Sequence, residues 1–252
     1  MTILTADTWD RHRLSLSNRI GWWDVETRCT VIVAAPAQEP QLWDDYLEGA
    51  YRSYRRHGVE RVLDLDAVRG GRDTRLFYAA IGEDGNVVGG TRISKPLRSA
   101  EESVAVAEWA GQRGLKAVRA LIADRLPFGV VEGKTAWVDA NQGQRGALFR
   151  MLVRTAPLTL HLLNVRFLLS TGAAHVLENW RSSGGKVASH IPAAPYPDDR
   201  YQTKLIWWDR STIANDVAPQ QLAQMKNELR EVIRQAERLG GVTTATSGAG
   251  SW

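Results

Sequence analysis

The chain has 252 residues and a mass of 28.0 kDa, enough for one large domain, and 44% of it is apolar, as in ordinary globular proteins. A single cysteine, Cys29, excludes an intramolecular disulfide and argues against a thiolate zinc site. A formal charge of +4 is spread along the chain rather than blocked, which argues against nucleic acid; ten tryptophans suggest aromatic-lined pockets or simply core filling.

Residues 1–27 are polar, contain tryptophan and give no clear element; Met1–Asp10 lacks the pattern of a signal peptide. Cys29–Ala35 is β-branched and apolar, a first strand stopped by Pro36 and Pro40. In Gln41–His57, Trp43, Leu47, Ala50, Tyr51 and Tyr54 share one helical face, and Gly58 ends the helix. The arginines 52, 55, 56 and 61 read chiefly as its solvated face. Leu76–Ile81 and Val87–Arg92, joined by Gly82-Glu83-Asp84-Gly85-Asn86, form a hairpin. Two helices follow, Glu101–Gln112 and Leu115–Arg125, then a strand, Val130–Asp139, and a Gly/Gln loop, Asn141–Gly146. A helix starts at Ala147 and is expected to end or kink at Pro157. Val165–Thr171 is a strand and Ala173–Ser183 a short helix stopped at Gly184-Gly185. Lys186–Ile191 and Tyr201–Trp208 are further strands around a proline-stiffened loop.

Beyond Asp209, residues Leu222, Met225, Leu229, Val232, Ala236 and Leu239 make a heptad seam. It either packs on the domain or joins two copies. The division expected is an N-terminal segment over 1–28, a domain over 29–209, an amphipathic helix over 210–239 and a flexible tail over 240–252. No stretch approaches the roughly 18 consecutive apolar residues of a membrane helix, so a soluble cytoplasmic protein is expected.

The hairpin with Gly89, Gly90 and Arg92 resembles that of the GNAT superfamily of acyltransferases, and the element order from residue 29 to about 209 matches it. The Gly-x-x-Arg spacing is similar to the branch of N-acyl-homoserine lactone and N-acyl-amino-acid synthases. The resemblance implies an α+β fold: a GNAT-like, mixed, mostly antiparallel sheet flanked by helices, here with an added C-terminal helix. It also implies acyl transfer from a pantetheine thioester, acyl-CoA or acyl carrier protein, to the amine of a small acceptor such as an amino acid derivative. A non-catalytic module of this fold, assembling through the C-terminal helix, is the other reading. Residues 1–28 would be a lid over the acyl pocket.

By the same resemblance, Trp137, Val138 and Asp139 end the strand that binds the pantetheine arm. Gln144, Arg145, Gly146 and Ala147 turn backbone amides at a helix N-terminus towards the donor pyrophosphate. The family pattern is compressed here by one or two residues, which suits a carrier-protein donor. Glu132 is the candidate general base; its other reading is a solvated residue at a strand start. The family's Glu-x-x-Arg keeps Glu132 and has Thr135 for the Arg, while Lys134 is expected on the opposite strand face. Arg92 either clamps a substrate carboxylate or lactone carbonyl or makes a surface ion pair. Ser170 and Thr171 are pocket hydroxyls or helix caps. Trp180 stands where relatives place a Tyr acid and delivers no proton. Pro195–Tyr201 is a rigid bend or the acceptor mouth, and Leu158, Leu160, Leu162, Leu163, Val165 and Phe167 line an acyl tunnel or fill the core.

Overall fold

The computed structural model describes residues 19–139 and 145–238. Among these, one sheet holds β1 (Ile20–Asp24), β2 (Cys29–Ala34), β3 (Thr74–Ile81), β4 (Val87–Ser94), β5 (Val130–Val138), β6 (Phe167–Ala173), β7 (Lys186–Val187) and β8 (Thr203–Asp209). Their spatial order is β1-β2-β3-β4-β5-β6-β8-β7. Every neighbouring pair is antiparallel except β5–β6. The α-helices are α1 (Pro40–Arg56), α2 (Leu65–Arg69), α3 (Val104–Glu108), α4 (Leu115–Ala123), α5 (Arg145–Leu162), α6 (Leu177–Ser182), α7 (Ile213–Asp216) and α8 (Pro219–Arg238).

Alternation along the strands sorts the side chains into layers. Val31, Val33, Leu76, Tyr78, Val131, Leu168, Ile206 and Trp208 face α5 and α8. Their sequence neighbours face the other way: Ile32, Phe77 and Ala79 onto α1, and Val130, Leu169 and Trp207 onto α3 and α4. The result is a mixed α+β protein whose sheet is covered on both sides, with its C-terminal helix packed into the first core.

Three sequence expectations change. The segment 20–24, left unassigned, pairs with β2 through the tight reversal at residues 25–28 and forms the sheet edge. Pro157 does not end the helix: α5 runs on to Leu162. The proline removes the hydrogen bond to the Val153 carbonyl. The surrounding turns are tied by Thr155 Oγ1 donating to Leu152 O (2.6 Å) and Thr159 Oγ1 to Thr155 O (2.8 Å). Burial on nearly every side of α5 then keeps the segment helical. The expected strand 186–191 contracts to Lys186–Val187. Of the two readings of the leucine run, Leu158, Leu160, Leu162 and Val165 follow the core one, buried in one cluster.

The heptad seam is settled in favour of the domain. Met225, Leu229, Val232 and Ala236 are buried in one cluster with Ile20 and Trp22 of β1 and with α5, so that face is closed to a second copy. Leu239 lies outside the described residues. A buried ionic group reinforces the seat: Arg154 of α5, with no exposed surface, donates to Glu228 of α8 (2.8 Å) and to Asp24 at the end of β1. Among the described residues no helix is long and apolar enough to cross a membrane.

The two glycines of β4 allow close approach. A Cβ on Gly90 would strike the Tyr78 carbonyl and lie 2.7 Å from the Tyr46 ring. Gly90→Ala is therefore expected to destabilise by about 1–3 kcal/mol, since a packed core meets an added methyl by straining its neighbours. Thermal unfolding would show this as a fall of about 2–4 °C per kcal/mol.

Candidate active site

Strands β5 and β6 run parallel and stay paired only from Val130–Phe167 to Gly133–Ser170. Beyond that point they part, while β5 stays paired to β4 on its other side. The separation is driven within β5. Two steps along β4, from Gly90 to Arg92, span three along β5, from Trp137 to Lys134, so one residue is extra and a bulge forms. Thr135 in the bulge has φ 51°, a strained value for a β-branched residue. The bulge also reverses alternation: Val131 and Val138 both face α5, although they stand seven positions apart, an odd number. Tyr46 of α1 fixes the bulge by donating its hydroxyl to Thr135 O (2.7 Å).

A cavity of about 520 Å³ occupies the opening. On one face it reaches α1 and α3 at Tyr54, His57 and Glu108. On the other it reaches α5 and α6 at Phe149 and Trp180. It thus passes through the sheet where the strands part. Of the residues marked from sequence, Glu132, Arg92, Ser170 and Thr171 line it, as do Tyr196, Pro197 and Tyr201 of the proline-stiffened loop. That loop is held to the end of α1 by Arg200, bonded to Asp198 and 3.4 Å from the carbonyls of His57 and Gly58.

Glu132 is 2% exposed, not solvated. Its Oε1 accepts from the Ser103 hydroxyl (2.8 Å) and the Ala105 N–H (3.2 Å), its Oε2 from the Val104 N–H (3.0 Å). Lys134 Nζ lies 3.4 Å from Oε2. Lysine and glutamate thus share a face, correcting the expectation: positions two apart on a strand point the same way. Arg92 is likewise buried, while its ion-pair partner Asp73 stands half exposed. Nη1 donates to Asp73 (2.7 Å) and Thr74 Oγ1 (3.1 Å), Nε to Thr135 Oγ1 (3.2 Å). Burial pushes the Asp73 carboxyl up, but the Arg92 guanidinium outweighs this and holds it below its usual value. Ser170 donates to Gly133 O (3.0 Å), and no side chain caps the turn that starts at Ala174.

Glu108, the last residue of α3, was not singled out in the sequence, where it looks like one more helix-surface acid. Here it lines the cavity together with Thr171. Its Oε2 is buried with no hydrogen-bond partner. Burial pushes its pKa up to about 8, with Glu132 adding to the rise. Burial likewise pushes the Tyr54 phenol up to about 12.

The residues expected at the donor are divided. The Trp137 and Val138 side chains are buried in opposite cores, and Trp137 packs under Gly49. Asp139 accepts from Arg56 (2.9 Å). Ala147 is buried, and Arg145 and Gly146 stand exposed in the first turn of α5, one turn before Phe149 of the cavity wall. Gln144 and the loop before it lie outside the described residues.

No family model matches the chain. Among curated proteins it is 52% identical over 237 residues to uncharacterized protein Rv1356c of Mycobacterium tuberculosis (strain ATCC 25618 / H37Rv). It is equally similar to uncharacterized protein Mb1391c of Mycobacterium bovis (strain ATCC BAA-935 / AF2122/97); each match covers 94% of this chain and 90% of the relative. Solved structures with a similar chain path include FeeM, an N-acyl amino acid synthase from uncultured soil microbes (12% identity, TM-score 0.48, 78% of this chain and 97% of that one). Another is MesI, a CoA-dependent acyl-homoserine lactone synthase (13% identity, TM-score 0.49, 79% and 94%). The chain belongs to one family with these mycobacterial proteins, and it has the expected α+β architecture, a mostly antiparallel sheet flanked by helices.

Proposed function

We propose that the protein transfers an acyl group from a pantetheine thioester to the amine of a small acceptor. The observation that carries this reading is the cavity that crosses the sheet where β5 leaves β6, with carboxyl groups on one of its walls. Past Gly133 and Ser170 the two strands no longer bond each other, which leaves an extended pantetheine arm room to lie between them. Its thioester would then sit near Ser170 and Thr171, with the acyl chain against Phe149, Val176 and Trp180. The exposed first turn of α5 suits the donor's phosphate end, because the first N–H groups of a helix have no partner within it.

The acceptor would enter on the α1 and α3 side, between Tyr54, Glu108 and the loop carrying Tyr196. Arg92 lines this side, but its bonds to Asp73, Thr74 and Thr135 occupy three of its five N–H donors. It orders the bulge and leaves a smaller role for a direct clamp on a carboxylate. Incubation with short-, medium- and long-chain acyl-CoA and acyl-carrier-protein thioesters, common amino acids and aliphatic diamines tests the reading. Thiol release together with an amide seen by mass spectrometry is expected. The reading is abandoned if no donor and acceptor pair gives amide.

A further inference from the structure

We infer that Glu108, and not Glu132, carries the proton from the attacking amine nitrogen to the departing sulfur, and that Glu132 is a positioning residue that fixes the helix ending in Glu108. The inference rests on the acyl-transfer reading and names a residue for it.

The two carboxyl groups differ in what they have left to give. Three hydrogen bonds and Lys134 hold the two oxygens of Glu132. The donors come from Ser103, Val104 and Ala105, the start of α3. Taking a proton from substrate would mean breaking that attachment. Glu108 stands one turn further on, at the other end of the same short helix, and its Oε2 is buried in the cavity wall without a partner. A buried polar oxygen left unpaired costs free energy and so calls for an explanation. Thr171 of β6, Glu132 and Lys134 of β5, Tyr54 of α1 and Tyr196 of the proline loop line the same cavity as Glu108.

The step balances with no added reactant. A free amine attacks the thioester carbonyl, forming the C–N bond and a cationic nitrogen. As the C–S bond breaks, neutral Glu108 gives its proton to sulfur. The resulting carboxylate takes the proton from nitrogen, so amide and free thiol leave and Glu108 is neutral again. A carboxyl with a pKa of about 8 is neutral at the start of this cycle at pH 7. The kcat should therefore fall as pH rises through about 8.

The test compares the full-length protein with Glu108→Gln and Glu108→Asp, using whichever acyl-CoA or acyl-carrier-protein thioester and amine the wild type turns over. For Glu108→Gln, kcat is expected to drop about 10²–10⁴-fold with KM little changed, the usual range for a lost proton-transfer group. The limb near pH 8 should vanish, and Glu108→Asp should restore part of the rate. A Glu108→Gln variant within threefold of wild-type kcat and keeping that limb overturns the proposal. In parallel, infrared titration of wild type against Glu108→Gln should show a neutral carboxyl band at pH 6 that bleaches near pH 8. Its absence overturns the proposal whether or not any thioester turns over. If the band is present but wild type acts on no donor and acceptor pair, it is the acyl-transfer reading that fails, and the proton-carrier role fails with it.

Discussion

Arg154→Ala should cost about 3–5 kcal/mol of stability, the range for removing one partner from a buried ionic group. At about 2–4 °C per kcal/mol, the midpoint of thermal unfolding would fall by about 6–20 °C. The expectation follows from what the arginine leaves behind. Asp24 and Glu228 are 5% and 8% exposed, and both bond its guanidinium, as does Gln221 (3.3 Å); Glu26 lies 3.7 Å away. Burial already pushes the pKa of Glu228 up to about 7, against the pull of Arg154. A carboxyl whose folded pKa exceeds its unfolded value near 4.5 binds more protons when folded, so its contribution is present below pH 4.5 and is lost as pH rises through about 7. Without the arginine that loss deepens, and the deficit of the variant should narrow in acid. Arg154→Met combined with Asp24→Asn and Glu228→Gln should recover most of the stability, because neutral groups of similar shape replace an ionic one. Unfolding curves at pH 5 and pH 8 decide the matter: a single variant within about a degree of wild type at both would refute the account.

This ionic group also shows what was legible in the sequence and what was not. Strands with strong alternation and turn residues were readable: β3 and β4 lie where Leu76–Ile81 and Val87–Arg92 placed them, with Gly85 at φ 80° in the turn. The seam on α8 was readable as a stripe, but its partner was not. A heptad pattern reports only that a face is apolar, and here β1 and α5 of the same chain cover it. Strand β1 was missed because five residues at a sheet edge, with Trp23 half exposed, carry too little pattern. The helix continues past Pro157 because burial on nearly every side of α5 keeps the segment helical despite the missing N–H, and local rules omit that burial.

The site divides in the same way. Glu132, Arg92, Ser170 and Thr171 reach one cavity because they sit on adjacent strands beside the bulge, and the hairpin and strand patterns located those strands. Glu108 arrives from a separate helix through a tertiary contact. Nothing in the local pattern of Glu101, Glu102 and Glu108 marks the third as the one that turns inward. The bulge was equally hidden: Thr135 shows a left-handed backbone only in the folded chain, where Tyr46 and Arg92 hold it.

Glu132→Ala should damage fold and turnover together, in a pattern that distinguishes support from chemistry. Removing the carboxylate strips partners from the Ser103 hydroxyl and from the first N–H groups of α3, and leaves the mostly buried Lys134 ammonium without its counter-charge. A loss of about 3 kcal/mol in urea unfolding is expected. The far end of α3 would shift with its start, and a displacement of about 1 Å at a reacting group lowers kcat about 10²-fold. Glu132→Gln keeps one accepting oxygen and nearly the same volume, so it should lose less than half as much stability. The pH profile then separates the two glutamates. If Glu132 only positions the helix, Glu132→Gln lowers kcat but keeps a falling limb, moved to lower pH because the Glu132 charge no longer raises the Glu108 pKa. A Glu132→Gln protein that folds normally yet has no such limb would instead make Glu132 the titrating group. The proton route would then run through β5 itself, where the sequence had first suggested it.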